Sequence, residues 1–145
     1  MNDPLFVQLN SDPFRWFEEG DKDTELRGYG DRFNMETVYP GRDVRLVKGY
    51  DPANGLLHGT IEHVQHFDHA EQIPDRMDYR RINPEAEDEE AFLDSVDDLL
   101  GDYSSYVAFQ VYLETTTVQN DKRGTFLTMD ALERQVVAAV GAGEN

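Results

Sequence analysis

Alternating apolar and polar positions recur along the chain and predict five β-strands. A period of two is typical of a strand with one buried face, and β-branched and aromatic residues fill these runs. The last run is the longest and places Val107, Phe109 and Val111 on one face. In the run before it, Ile61 and Val64 are spaced by three, which predicts a β-bulge or an early helical turn. The predicted strands are residues 5–9, 24–29, 42–50, 56–67 and 103–117.

A second period, of three to four residues, predicts three helices. The first is Pro13–Glu19, which begins with a proline and ends at Gly20. The second, residues 84–101, is acidic and carries one apolar stripe that would pack against the core. The third follows the cap residue Thr128 and is amphipathic. It belongs to a C-terminal segment, residues 118–145, that comes after the last strand.

Length and composition predict one globular domain. The chain has 145 residues, 39% of them hydrophobic, which is too apolar for a disordered chain. No apolar run approaches the ~20 residues of a membrane span, so we expect a cytoplasmic protein with no membrane partner. The absence of cysteine excludes disulfides and thiolate metal ligands. We expect residues 1–117 to form the domain and residues 118–145 to pack on it as a helical extension, and we assume a monomer.

Charge narrows the classes of function. Thirty acidic residues against 13 basic ones give a net charge of -17, which repels phosphate backbones at long range. Indiscriminate nucleic-acid binding is therefore disfavoured. An acidic surface poor in lysine suits molar salt, where the Debye length falls to ~3 Å, and we interpret it as a halophilic adaptation. One alternative is an acidic interaction protein that mimics DNA or docks a basic partner. The other is a mesophilic protein with an acidic helix.

The densest set of polar side chains is the segment Gly20-Asp21-Lys22-Asp23-Thr24-Glu25-Leu26-Arg27. On an extended strand Glu25 and Arg27 share a face, and a chain reversal after the helix can bring the Lys22 amine near them. A carboxylate between two cations stays ionised, and a guanidinium offers two donors to a phosphate or a base edge. The alternative is an ordinary ion-pair cluster on a barrel rim. With two flanking aromatics able to stack on a base, the predicted ligand-binding set is Lys22, Glu25, Arg27, Tyr29 and Trp16.

The same segment is similar to the signature of the ASCH domain, a PUA-like β-barrel family. That signature is G-x-K-x-x-E-x-R after an initial strand and helix, and Gly20, Lys22, Glu25 and Arg27 match it. Residues 41–44, Gly-Arg-Asp-Val, resemble the G-D-x-V strand that follows in the family, with one insertion. The resemblance covers roughly residues 5–113. It implies an α+β fold, a PUA-like small β-barrel of five or six strands with peripheral helices.

The resemblance also implies an RNA or nucleotide-like ligand, held between the first helix and the barrel without a cofactor. One bacterial branch of the family hydrolyses acetylated cytidine with a lysine, a threonine two residues before the motif arginine and a further glutamate. This chain has Glu25 at the threonine position, and Thr24 is one residue away on the other strand face. We therefore predict binding. The alternative is a nucleoside amidohydrolase or ribonuclease in which Lys22 orients a nucleophile and Glu25 transfers protons.

A basic cluster in this acidic chain lies at Arg76, Arg80 and Arg81, around Tyr79. RNA recognition often combines arginine with stacking aromatics, so these arginines are predicted as an accessory nucleic-acid contact. The alternative is that they pair with the acidic run at residues 85–90.

Four histidines, His58, His63, His66 and His69, raise the question of a metal site. If residues 58–67 form a strand, His63 and His66 differ by an odd number and face opposite sides of the sheet. The prediction is therefore solvated histidines and no metal.

Overall fold

A curled five-stranded mixed sheet organises residues 3–114, the part of the chain that the computed structural model describes. Its strands are β1 Leu5–Leu9, β2 Thr24–Gly28, β3 Asp43–Lys48, β4 Leu56–Phe67 and β5 Tyr106–Leu113. The strand order is β1-β3-β4-β5-β2, with β1 parallel to β3 and every other neighbouring pair antiparallel. The curled sheet forms a half-barrel, and with its helices it is consistent with the expected α+β fold of a PUA-like small barrel. The helices are α1 Ser11–Glu19, α2 Gln72–Arg76 and α3 Glu89–Leu100.

The predicted elements are present with some corrections. All five strands form, and β4 contains the bulge, as a register shift between Ile61 and His63. The prediction of a helix from residue 84 was wrong, because Asp88 caps α3 by accepting a 2.8 Å hydrogen bond from the Ala91 N–H. The short α2 was not predicted, since five residues are too few to show a period. The predicted helix after Thr128 lies outside the described residues.

The inner face of the sheet holds the first hydrophobic core. Alternate residues of each strand point to it, as a period of two requires, and α1 contributes two phenylalanines. On β2, Glu25 lies opposite Phe109 and Arg27 lies opposite Val107, so both charged residues face this core. The buried apolar members are Leu5, Val7, Leu9, Phe14, Phe17, Phe33, Val38, Val44, Leu46, Ile61, Val107, Phe109 and Val111.

The outer face of β2 and β5 packs into a second core with α2, α3 and the residues between them. Leu26 and its neighbour Ala108 belong to this core, so β2 is buried on both faces. None of the described helices has the length and apolar character needed to cross a bilayer. The buried members are Leu26, Phe67, Ile73, Ile82, Ala86, Phe92, Val96, Tyr106 and Ala108.

Within residues 3–114 the two edges of the sheet are β1 and β2, and arginine side chains bond to the edge of β1 that has no neighbouring strand there. Arg27 on β2 donates from Nη2 to the Gln8 carbonyl oxygen at 2.7 Å. Arg32, just after β2, donates to the Phe6 carbonyl oxygen at 3.2 Å. An unpaired edge leaves carbonyl groups that need partners. The arginines supply them, and Arg27 thereby bridges the two edge strands.

Gly28→Ala is predicted to destabilise the protein by about 1–3 kcal/mol, the usual cost of overpacking. A Cβ at Gly28 would overlap the ring of Tyr103, starting at its Cγ, so the whole side chain would have to move. The matched control is Gly30→Ala, where the nearest atom to a new Cβ is 3.8 Å away. Urea denaturation measures both free energies of unfolding. Equal midpoints for the two variants would show that Tyr103 does not need the space.

Candidate ligand-binding site

A tight turn after α1 places the motif lysine. Gly20 ends the helix at φ 83°, a left-handed conformation that glycine adopts readily. The N–H groups of Asp21 and Lys22 then both donate to the Trp16 carbonyl oxygen, at 2.9 and 3.2 Å. The chain reverses here and enters β2 at Thr24. The Lys22 side chain therefore points into the protein, next to the start of β2.

The Lys22 amine is buried, and the structure provides an acceptor for each of its three donors. Its Nζ donates to the Thr24 carbonyl at 2.8 Å and to the Ile82 carbonyl, and it lies 3.2 Å from Oε1 of Glu25. Nζ also lies 5.4 Å from the ring centroid of Phe17. Only 4% of the side chain is exposed. Three acceptors around one nitrogen match the geometry of an ammonium group.

Glu25 joins the lysine to the arginine. Its Oε2 accepts a 2.7 Å hydrogen bond from Nε of Arg27, and its side chain is 9% exposed. The Arg27 guanidinium lies 4.9 Å from the ring centroid of Phe33, and the Arg27 side chain is 22% exposed. Both carboxylate oxygens of Glu25 are therefore engaged by cations. The three motif residues come together as predicted, and they form a largely buried network.

The network fixes the charge of its carboxylate. Burial would raise the pKa of Glu25, but the nearby charges and hydrogen bonds of Lys22 and Arg27 outweigh it and hold that pKa below its ordinary value. Burial lowers the pKa of Lys22, although the Glu25 charge acts in the opposite direction. Glu25 is thus ionised at neutral pH.

A separate open cleft of about 440 Å³ lies beside α1, and we call it the Trp16 cleft. It brings together two predicted residues from distant parts of the chain, Trp16 on α1 and Arg80 in the turn Tyr79–Arg81. The Arg80 guanidinium lies 4.9 Å from the ring centroid of Tyr79. The motif residues Lys22, Glu25 and Arg27 are not among its lining residues. These are Arg15, Trp16, Glu19, Asp21, Arg80, Pro84 and Glu85.

The predicted arginine cluster divides into three roles. Arg80 lines the cleft, whereas Arg81 forms two 2.9 Å hydrogen bonds with the carboxylate of Asp23. Arg76 stands over the Phe67 ring at 5.3 Å and donates to the His66 carbonyl at 3.3 Å. Among residues 3–114, no ion pair connects these arginines with residues 85–90. Arg81 finds its partner in the motif segment instead.

Tyr29 and the histidines lie away from the Trp16 cleft. The Tyr29 ring packs edge-on against His66 with centroids 5.0 Å apart, and its hydroxyl accepts from the Met35 N–H. His63 and His66 fall on opposite faces of β4. In the described part of the chain, no cluster of three or more His, Cys, Asp or Glu residues could hold a metal ion.

The sequence did not reveal several partners of the network. Asp23 was not among the predicted site residues, although it stands inside the matching segment and holds Arg81. The carbonyl groups of Ile82 and Gln8 accept hydrogen bonds from Lys22 and Arg27. Every residue type has a backbone carbonyl, so the sequence cannot identify these acceptors. One sequence feature could have indicated Asp23, namely its position between Lys22 and the first residue of β2.

Solved structures show the same fold. Hypothetical protein PH0355 superposes with a TM-score of 0.62 at 12% identity, over 75% of this chain and 97% of its own length. Protein PF0455 from Pyrococcus furiosus superposes with a TM-score of 0.58 at 12% identity, over 79% of this chain and 100% of its own length. The structure of ASCH from Zymomonas mobilis superposes with a TM-score of 0.52 at 13% identity, over 74% of this chain and 65% of its own length. No family model matches the chain, and no curated protein matches its sequence significantly. The likeness shows an ASCH-like fold.

Proposed function

We propose that this chain binds RNA or a nucleotide-like ligand, with a base in the Trp16 cleft. The observation that supports it most directly is that Trp16 and Arg80 wall the same cleft. An aromatic ring beside a guanidinium is a common arrangement for stacking an unpaired base. The volume of about 440 Å³ falls within the usual range of ligand pockets, about 300–1,000 Å³.

In this proposal the network of Lys22, Glu25 and Arg27 has mainly a structural role and makes few contacts with the ligand. Lys22 is enclosed by its acceptors, and both oxygens of Glu25 are occupied. Arg27 is the member best placed to reach a ligand, because within residues 3–114 its Nη1 has no bonded acceptor. We retain Arg27 as a proposed phosphate or base-edge contact outside the Trp16 cleft.

The geometry favours binding over catalysis by Glu25. A general base must reach the proton that it abstracts, and this carboxylate is buried with a cation on each oxygen. Its lowered pKa also makes it a weak base. The enzymatic alternative is therefore the second hypothesis, and an assay for the hydrolysis of acetylated cytidine or RNA tests it.

The charge of the surface indicates a base-centred mode of binding. The Trp16 cleft contains three carboxylates and two guanidinium groups. A second cleft, of about 410 Å³, is lined by Asp68, Glu71, Asp94 and Asp97 and would repel phosphate. Stacking on Trp16 then supplies most of the affinity, and few phosphates are neutralised. Binding should depend only weakly on salt, unlike that of basic nucleic-acid-binding proteins.

Trp16→Ala is predicted to weaken binding by about 1–3 kcal/mol, the usual contribution of one base stacked on an aromatic side chain. The probes are cytidine monophosphate and a short single-stranded RNA, and calorimetry in molar potassium chloride measures the affinity. Arg80→Ala should also weaken binding, and here the fluorescence of Trp16, the chain's single tryptophan, reports the titration. The matched control is Arg45→Ala, an arginine on β3 that lies outside the cleft and outside every predicted contact.

Two results would contradict the proposal. If neither probe binds the parent protein, or if Trp16→Ala and Arg45→Ala bind with equal affinity, the cleft is not the site. Catalysis is tested in the same samples with acetylated cytidine as a third probe. Release of acetate or cleavage of RNA that disappears in Glu25→Gln would replace binding by the enzymatic alternative.

A further inference from the structure

We infer that Asp23 is a positioning residue, which holds Arg81 and thereby fixes the turn that forms the wall of the Trp16 cleft opposite α1. The inference concerns how the proposed site is built, and its effect on affinity rests on the proposed function. Asp23 is not one of the residues between 3 and 114 that line the cleft.

The contact between Asp23 and the turn is made by both side chains and backbone. Arg81 donates from Nε and Nη2 to the two carboxylate oxygens of Asp23, each at 2.9 Å. The Asp23 N–H donates to the Arg81 carbonyl oxygen at 3.2 Å. The neighbouring Lys22 donates to the next carbonyl, that of Ile82. Two consecutive residues of the motif segment thus hold Arg81, the last residue of the turn, and Ile82, the residue after it.

The Asp23 carboxylate is itself held in place. Its Oδ1 accepts from the Thr24 hydroxyl at 2.8 Å, and its Oδ2 accepts from Gln110 on β5 at 3.4 Å. The Asp23 carbonyl accepts from the Val111 N–H at 2.8 Å. Both side chains of the pair are about 40% exposed, so burial does not set it apart from a surface ion pair. Its four donor groups do, because they orient the carboxylate and leave it little side-chain freedom to lose.

The turn connects this anchor to the cleft. Arg80 immediately precedes Arg81, and Pro84 and Glu85 follow it, and all three line the Trp16 cleft. The side chain of Asp78 accepts from the Arg80 N–H at 3.0 Å, which shapes the turn. A displacement at Arg81 therefore moves the groups that face Trp16. The family signature does not include this aspartate, since its position there is open to any residue.

The first test needs no ligand. Acrylamide quenching of Trp16 fluorescence measures how accessible the ring is, and Asp23→Asn should raise the quenching constant because the opposite wall is released. Asp43→Asn is the control, an exposed aspartate on β3 outside the cleft. Arg81→Gln removes the same ion pair from its other partner and is used instead if Asp23→Asn does not fold. Unchanged quenching in the folded variant would overturn the inference, whether or not any ligand binds.

The second test uses the affinity of cytidine monophosphate and separates positioning from general destabilisation. Asp23→Asn should weaken binding about tenfold, within the range of coupling between residues that act through shared contacts. In an Arg80→Ala background the same change should have a much smaller effect, because the group that Asp23 positions is already gone. An equal loss in both backgrounds would show that Asp23 does not act through the turn. If the ligand fails to bind the parent, the proposed function fails and quenching alone decides the inference.

Discussion

Replacing Lys22 by methionine is expected to lower the free energy of unfolding by about 3–5 kcal/mol, the usual cost of breaking a buried ion pair from one side. Methionine keeps much of the volume next to Phe17 but donates no hydrogen bond. The Thr24 and Ile82 carbonyls then lose their donor, and Glu25 keeps one cation of two. Urea denaturation in molar potassium chloride measures the loss without adding an ionic denaturant.

Two comparisons make this prediction specific. Arg15→Met breaks ion pairs whose side chains are about half exposed, and it should change stability by less than about 1 kcal/mol. Adding Glu25→Gln to Lys22→Met should recover part of the loss, because a neutral amide is less costly to bury than a carboxylate. A loss of the same small size for Lys22→Met and Arg15→Met would contradict the buried network.

The pH dependence of the same network follows from the pKa of Glu25. That pKa is lowered in the folded protein, so the unfolded chain binds the proton more tightly. The stabilisation is therefore complete above the ordinary glutamate pKa and is lost as the pH falls through the lowered one. In Lys22→Met one of the two cations is missing, which raises the pKa of Glu25. Acid unfolding of that variant should begin at a higher pH than in the parent protein.

Local patterns predicted most of the sheet because the side chains of a strand alternate between its two faces, and this alternation is visible in the sequence. The alternation around Val107 and Phe109 reports the inner face of β5, and the spacing of Ile61 and Val64 reports the bulge in β4. The same period of two placed Glu25 and Arg27 on one face. The start of α3 was missed because the residues before and after Asp88 are both acidic, so composition does not show where the helix begins. The start is set by the cap, in which the Asp88 side chain accepts from the Ala91 N–H.

The candidate site was predicted only where its contacts are local. Lys22, Glu25 and Arg27 are neighbours in the chain, so their clustering followed from strand geometry. Their burial did not, because it depends on the remote segment that carries Ile82. The meeting of Trp16 and Arg80 in one cleft likewise requires the packing of the turn against the motif segment. No spacing rule applies to residues so far apart in sequence.

Stability is expected to rise strongly with salt, because the chain carries 30 acidic and only 13 basic residues. Two like charges ~15 Å apart repel with about 0.3 kcal/mol in water, and the 17 excess negative charges form many such pairs, so their repulsion adds up in dilute buffer. At ~0.1 M salt the Debye length is ~10 Å and much of this remains, whereas at ~1 M it is ~3 Å. The melting temperature should rise by about 10 °C or more between these conditions.

Differential scanning fluorimetry in a series of potassium chloride concentrations measures this rise, and two controls identify its cause. Sucrose of matched osmolality strengthens burial without screening charge, so it should reproduce only a small part of the gain. Glu62→Gln with Glu87→Gln removes two exposed carboxylates and should raise the melting temperature at low salt more than at high salt. A melting temperature that stays constant across the series would remove the halophilic interpretation. The acidic residues would then be better explained as a surface for a basic partner, because their repulsion would serve no adaptation to salt.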